Sequence, residues 1–359
     1  VKICLIGLPQ SGKSSLFGAL TGLDPQDAAK GSEPVAVVKV PDDRVEALAA
    51  AYKPKKKTLA AIEFSELAGL TSGEPGKAAF TEQALGKLRT ADALLAVVRA
   101  FRDPAVAHPL ETVEAPRDLR HIEAELLLAD LAVIEGRLEK LTKQIAAKKA
   151  DRDIREKAAL EKCLACLEAE TPLRRAGLTP DEELALRSYR FLTQKPLIVA
   201  LNLDEEDIAR EAEVLKPFQA WDDGVFSAVI ALSARLEWEI RQLPEEDARR
   251  FLGDYGIAQS ARAKLIATAY RLMGLVSFFT VGPDEVKAWT IKDGTPASRA
   301  AGAIHSDIER GFIRAEVTAF ADFAAAGDMQ ACKASGAFRL EGKDYPVRDG
   351  DISNFRVAI

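Results

Sequence analysis

Residues Gly7-Leu8-Pro9-Gln10-Ser11-Gly12-Lys13-Ser14 form a G-x-x-x-x-G-K-S run. Glycines at that spacing let main-chain N–H groups curl around an anion, and a helix opening at Lys13 would add the partial positive charge of its N-terminus. The chemistry that fits is the holding of phosphates. Pro9, Gln10, Ser11, Gly12, Lys13, Ser14 and Ser15 are therefore candidate contacts to the phosphates of ATP or GTP, with Lys13 reaching the β- and γ-phosphates and the Ser14 hydroxyl ligating Mg²⁺. The context is the required one, since KICLI reads as a buried strand before the loop and KSSLFGAL as a helix after it.

Three further segments follow in the order expected of a GTPase-like domain. A strand ending in Phe64-Ser65 runs into Glu66-Leu67-Ala68-Gly69, in the place of a D-x-x-G turn. Glu66 is thus the second candidate for Mg²⁺, and Gly69 offers an N–H to the γ-phosphate. The apolar run PLIVAL enters Asn202-Leu203-Asp204-Glu205, where guanine-specific proteins carry N-K-x-D. A glutamate in that last place upsets the distance to the two ring donors of guanine, so ATP and GTP both stay open. VIAL then leads into Ser233-Ala234-Arg235, a turn whose main chain touches the base. Asn202, Leu203, Glu205, Ser233 and Ala234 are the expected surroundings of the base.

These loops need a frame, and the alternation of apolar runs with helical stretches supplies one. Val1–Ile6, Leu59–Phe64, Ala93–Arg99, Pro196–Leu201 and Val225–Leu232 read as strands, with helices at Lys13–Leu20 and Phe80–Arg89. The fold class is α/β, a mainly parallel sheet covered by helices. Between the third and fourth strands the chain turns helical. Leu127, Leu131, Ile134, Leu138, Leu141 and Ile145 form one apolar seam that needs a partner helix, and Leu160, Leu164 and Leu167 supply it. The spacing predicts an inserted helical hairpin over 117–189, turning near Ala146 to Arg152, within a domain made of 1–116 and 190–275. From about Val276 short strands punctuated by Gly282-Pro283, Asp293-Gly294 and Asp349-Gly350 predict a separate β-rich domain, 276–359.

Composition narrows the class. The chain has 359 residues, 48% hydrophobic and 29% charged, with no apolar run near the ~20 residues that span a bilayer. A strand pattern starting at Val1 leaves no room for a leader, and four scattered cysteines do not make a disulfide framework, so a cytoplasmic protein is expected. A net charge of -6 argues against a nucleic-acid coat, and no sequence-specific DNA binding is expected. The arm differs locally, since Arg137 to Lys157 hold eight basic residues against four acidic. A solvated helical face and contact with RNA phosphates both account for that excess. Residues 277–359 carry ten basic and twelve acidic, giving no such signal. Cys163-x-x-Cys166 sits in a helical stretch with no second pair and reads as packing, while His121 and His305 lack a metal-ligand constellation.

With GLPQSGKSSLFGALTG at the start, N-L-D-E at 202–205, and Ser277-Phe278-Phe279-Thr280, Val286-Lys287-Ala288-Trp289-Thr290, His305-Ser306-Asp307-Ile308-Glu309-Arg310-Gly311-Phe312 and Leu340-Glu341-Gly342-Lys343-Asp344-Tyr345 near the end, the chain resembles the YchF (Obg-like ATPase) family of P-loop NTPases. The resemblance spans nearly the whole chain. It implies a G domain, an inserted coiled-coil arm, a C-terminal TGS domain of β-grasp type, ATP hydrolysis often preferred over GTP, and ribosome association through arm and TGS domain. It also places His108 where a histidine is common in the family, either orienting an attacking water or serving as a packing residue. Leu70 matches the hydrophobic residue that the family carries in place of a catalytic glutamine. Two segments depart from the pattern. DPQDAAKGSEPVAVVKV lacks the threonine of the family's first switch, Ser32 being the nearest hydroxyl, and E-L-A-G-L-T-S-G-E replaces D-I-A-G-L-V-K-G-A. Loss of a γ-phosphate sensor in each switch predicts slow turnover. The expectation is a low-turnover Mg²⁺-dependent ATPase or GTPase associated with ribosomes, or a nucleotide-stabilised adaptor with little or no hydrolysis.

Overall fold

The computed structural model describes residues 1–24, 34–67, 80–254, 257 and 259–358. β1 (Lys2–Ile6) leads through the glycine loop into α1 (Lys13–Thr21). β2 (Val35–Lys39), α2 (Asp43–Tyr52), β3 (Lys56–Thr58) and β4 (Ala61–Glu66) follow, then α3 (Glu82–Thr90) and β5 (Ala93–Arg99). After the helical insertion come β6 (Leu197–Asn202) and β7 (Ser227–Leu232). The strand order is β2-β4-β1-β5-β6-β7, and β4, β1, β5, β6 and β7 pair in parallel. Every residue of β5, β6 and β7 is buried, as befits parallel strands covered on both faces. Their short apolar runs therefore lack the alternation of a half-exposed strand. In this order β1 lies between β4 and β5, so the loops leaving neighbouring strands diverge at their C-terminal ends and open a crevice.

α4 (Ala115–Ala147) starts with Pro116 in its first turn, where a missing N–H costs nothing, and α5 (Asp151–Glu168) folds back along it after a break at 148–150. Ile134, Leu141, Ala159, Leu160, Cys163 and Leu167 are buried between them, with Leu127, Leu131, Leu138 and Leu164 packed alongside. Cys163 is thus a small apolar core residue, and all four cysteines are free thiols. At the root of this arm the fully buried Asp130 accepts hydrogen bonds from Leu192 N (3.0 Å), Thr193 N (2.8 Å) and Thr193 Oγ1 (2.8 Å). Glu123 accepts from the buried Arg174 and from Trp221 Nε1 (2.6 Å). At the other end Arg137, Lys143 and Lys157 have carboxylate partners, while Lys148, Lys149 and Arg152 are exposed.

By contact the chain divides into Val1–Ala36 with Glu63–Leu272, and Val37–Ile62 with Met273–Ile359. The second unit carries the sheet β11-β10-β12-β8-β9-β3, in which β8 is Leu275–Thr280, β9 Glu285–Lys292, β10 Phe312–Ala319, β11 Arg339–Glu341 and β12 Asp351–Val357. Residues 37–62 join it through β3, parallel to β9, and through α2. Arg44 on α2 pairs with Asp349 at 2.7 Å and lies 5.0 Å from the Phe279 ring centroid, and Tyr52 stacks on Phe323. Helices at Ala297–Ile304, Phe320–Ala326 and Met329–Ala334 are interspersed with the strands, so the unit is mixed rather than β alone. Among the described residues no helix is long and apolar enough to cross a membrane.

Candidate functional site

The loop after β1 is shaped by two close approaches. A Cβ at Gly7 would stand 2.4 Å from the Val97 carbonyl oxygen. A Cβ at Gly12 would stand 2.1 Å from Asn202 Nδ2, and Gly12 is the N-cap of α1 with φ 88°. Only glycine satisfies both the space and the left-handed backbone there. Asn202, the last residue of β6, explains the tightness. Its Nδ2 donates to the Ser11 carbonyl (3.1 Å) and its Oδ1 accepts from Ala234 N (2.9 Å). One buried amide thus ties the glycine loop to the turn after β7, and Ser233 caps the following helix, Ala234–Arg241.

Lys13 is buried, and its Nζ donates to the carbonyls of Gly7 (3.0 Å) and Leu8 (2.9 Å). Burial pulls its ammonium down to about 8, against a smaller raising effect of Glu66. A lysine so poised gains by meeting an anion. Ser14 Oγ donates to Glu66 Oε1 at 2.6 Å, and Glu66 Oε2 is buried with no hydrogen-bond partner among the described residues. Burial pushes the Glu66 carboxyl up, partly offset by Ser14 and Lys13. A hydroxyl and a carboxylate with a spare buried oxygen form a hard-oxygen donor set, which fits Mg²⁺.

Above these residues opens a cleft of about 1070 Å³. Gln10, Gly12, Lys13, Ser14 and Ser15 line one side, and Asn202, Leu203, Glu205, Ser233 and Ala234 line the other. Ten residues singled out in the sequence therefore meet at one cavity. Pro9 and Ser11 face away from it, onto a small gap behind the loop that His108 and Asp118 also line. His108 does not reach the cleft. Its Nδ1 accepts from Leu110 N (3.1 Å), and its Nε2 lies 2.9 Å from Asp118 Oδ2. Gly69, Leu70 and Ser32 lie outside the described residues.

The third wall was not read from the sequence. Phe101, Arg102, Asp103, Pro104 and Val106, from the irregular segment after β5, line the cleft together with Trp238. The available signal was positional, because an aromatic residue just past the C-terminal end of a central parallel strand stands where such folds bind ligands. Asp204 also lines the cleft and accepts from Arg102 N at 2.9 Å. Arg235 sits 3.6 Å from Glu205, so the glutamate in the base-reading place faces a cation.

A parallel α/β sheet with a glycine loop, lysine and serine at the C-terminal end of its first strand defines the class of P-loop NTPase domains. Residues 275–358 match the family model YchF-GTPase_C, described as a protein of unknown function (DUF933). The chain is 37% identical over 362 residues to the ribosome-binding ATPase YchF of Bacillus subtilis (strain 168), covering 99% of this chain and 98% of that one. It is 35% identical over 371 residues to Obg-like ATPase 1 of Caenorhabditis elegans, covering 99% and 92%. The solved structure of the Schizosaccharomyces pombe YchF GTPase superposes with a TM-score of 0.86 at 32% identity, over 99% of this chain and 97% of that one. The chain belongs to the YchF/Obg-like ATPase family.

Proposed function

We propose that this chain binds a purine nucleoside triphosphate with Mg²⁺ in the cleft, hydrolyses it slowly, and acts as a regulatory NTPase associated with the ribosome. The meeting of Lys13, Ser14 and Glu66 at the glycine loop carries the reading. Lys13 exchanges the Gly7 and Leu8 carbonyls for the β- and γ-phosphate oxygens, and the loop N–H groups and the N-terminus of α1 hold the rest of the phosphate chain. Mg²⁺, when bound, would supply charge neutralisation for the phosphates. Ser14, which lines the cleft, and Glu66, bonded to it from behind, would hold the metal. Asn202 keeps the loop and the Ser233-Ala234 turn in register, and Leu203, Phe101 and Trp238 give the base apolar faces. Glu205 beside Arg235 departs from a guanine-reading aspartate, which supports acceptance of ATP as well as GTP.

Ribosome association rests on the relatives named for it and on the exposed Lys148, Lys149 and Arg152 at the arm's far end, which suit RNA phosphates. The same relatives and the absence, among the described residues, of a membrane-crossing helix support a cytoplasmic location. A second reading, a nucleotide-stabilised adaptor with little or no hydrolysis, is favoured by one observation. The histidine that could orient water is turned into the gap behind the loop.

A phosphate-release assay with ATP and with GTP separates the two. Slow Mg²⁺-dependent turnover that disappears in Lys13→Ala supports the hydrolase. Tight binding with no turnover in the presence of ribosomes supports the adaptor.

A further inference from the structure

The wall formed by Phe101 to Val106 belongs to no helix or strand, yet it supplies five of the residues that line the cleft. Irregular main chain holds a fixed shape only if its polar groups are bonded, and here one side chain bonds four carbonyls between residues 101 and 107. Arg99, the last residue of β5 and in register with Asn202 on β6, is 3% exposed. Its Nε donates to the Phe101 carbonyl (3.3 Å), its Nη1 to Ala107 (3.4 Å), and its Nη2 to Asp103 (3.3 Å) and Val106 (3.0 Å). The guanidinium carbon lies 4.4 Å from the centroid of the Phe101 ring. Four carbonyls are therefore drawn inward to one buried cation, and the side chains between them are left to face the cleft.

Arg99 is not itself among the residues that line the cavity. Within the segment Val106 N donates to the Asp103 carbonyl (3.1 Å) and Ala105 N to Asp103 Oδ1 (2.9 Å), and Arg102 N donates outward to Asp204 Oδ2 (2.9 Å); these bonds use main-chain N–H groups, whereas Arg99 bonds the carbonyls. A planar fork with five N–H donors reaches several carbonyls at once, whereas a lysine presents three donors at one point.

We propose that Arg99 is the positioning residue of the base-side wall, setting affinity for the base of the nucleotide rather than for its phosphates. This rests on the nucleotide reading above. Two neighbouring strand ends then divide the work, with Asn202 organising the phosphate loop and the Ser233-Ala234 turn, and Arg99 organising the wall that the base lies against.

The test compares two ligands that share phosphates and differ in the base. Calorimetric titration with Mg²⁺ and a non-hydrolysable ATP analogue, and separately with Mg²⁺ and inorganic tripolyphosphate, is carried out on the full chain, on Arg99→Lys and on Arg99→Gln, with thermal melting of each. The expected result is an analogue affinity lowered about tenfold or more in either folded variant, as the loss of several hydrogen bonds to the wall implies, with tripolyphosphate affinity held within about twofold. An analogue loss that exceeds the tripolyphosphate loss by less than about fivefold overturns the inference and leaves the nucleotide reading standing. Failure of both variants to fold also overturns it, in favour of a purely structural arginine. Absence of analogue binding by the unaltered chain overturns the nucleotide reading and this inference together.

Discussion

Ser14 Oγ donates to Glu66 Oε1 at 2.6 Å, joining the first turn of α1 to the last residue of β4. The pair places a hydroxyl and a carboxylate, one of whose oxygens has no partner among the described residues, in a buried corner of the phosphate site. Replacing that carboxylate by an amide keeps the shape and removes the charge. Glu66→Gln is expected to weaken nucleotide binding in the presence of Mg²⁺ by about 10–100-fold and to leave binding without metal nearly unchanged. Titration with and without Mg²⁺ checks this, and equal losses in both would assign Glu66 a packing role instead.

The left-handed N-cap of α1 makes a second position decisive. Gly12→Ala puts a methyl 2.1 Å from Asn202 Nδ2, a buried atom held by the Ser11 carbonyl, and asks alanine to adopt φ 88°. Strain of about 1–2 kcal/mol from the backbone alone, with displacement of Asn202 added, is expected to lower nucleotide affinity at least about tenfold. Fluorescent-nucleotide titration measures it, and wild-type affinity in a folded Gly12→Ala variant would contradict the described loop geometry.

At the root of the arm the prediction concerns stability. Asp130 is fully buried and accepts three hydrogen bonds from Leu192 and Thr193, and burial still pushes its carboxyl above the usual range. Asp130→Ala strands two main-chain N–H groups and one hydroxyl in a dry joint. A loss on the order of 2–4 kcal/mol is expected from unsatisfied buried donors. Denaturant unfolding gives the total, and faster amide exchange at Leu192 and Thr193 locates it.

The arm also carries a pH dependence of definite sign. Arg137 Nε donates to Glu156 Oε1 at 2.7 Å, and this pairing is the main reason the Glu156 carboxyl lies below its ordinary value, with Tyr189 assisting. A carboxyl depressed in the folded state contributes stability that is present above its unfolded value, near 4.3, and is lost as pH falls through the folded one. Amide protection in α5 should therefore decline below about pH 4, and Glu156→Gln should flatten that part of the profile. An unchanged profile in the variant would show that other groups control the arm in acid.

Much of this was legible from local pattern. The strand, glycine loop and helix at 1–21 declare themselves in eight residues, because the phosphate loop is a contiguous device. The seam from Leu127 to Leu141 was legible for the same reason, since one helix face repeats along the chain. Residues 37–62 were not. β3 pairs with β9 more than two hundred residues away, and nothing within Lys56–Thr58 encodes that partner. The helices of the second unit are harder to read although FADFAAA and ASRAAGAI are rich in alanine, because they are short and set among glycine turns. Phe101 to Val106 have no periodicity at all. Four carbonyls between residues 101 and 107 converge on Arg99, whose last place in an apolar strand gave no hint of them.

The central claim is that the loop around Lys13 holds the phosphates of a purine nucleotide together with Mg²⁺. The most direct test is calorimetric titration of the unaltered chain and of Lys13→Ala with non-hydrolysable ATP and GTP analogues, with and without Mg²⁺. The account predicts saturable binding of at least the ATP analogue by the unaltered chain, strengthened by Mg²⁺ and reduced about 100-fold or more in Lys13→Ala, where a buried charge-assisted contact is lost. Equal affinity in the two proteins, or no binding by the unaltered chain, would contradict it.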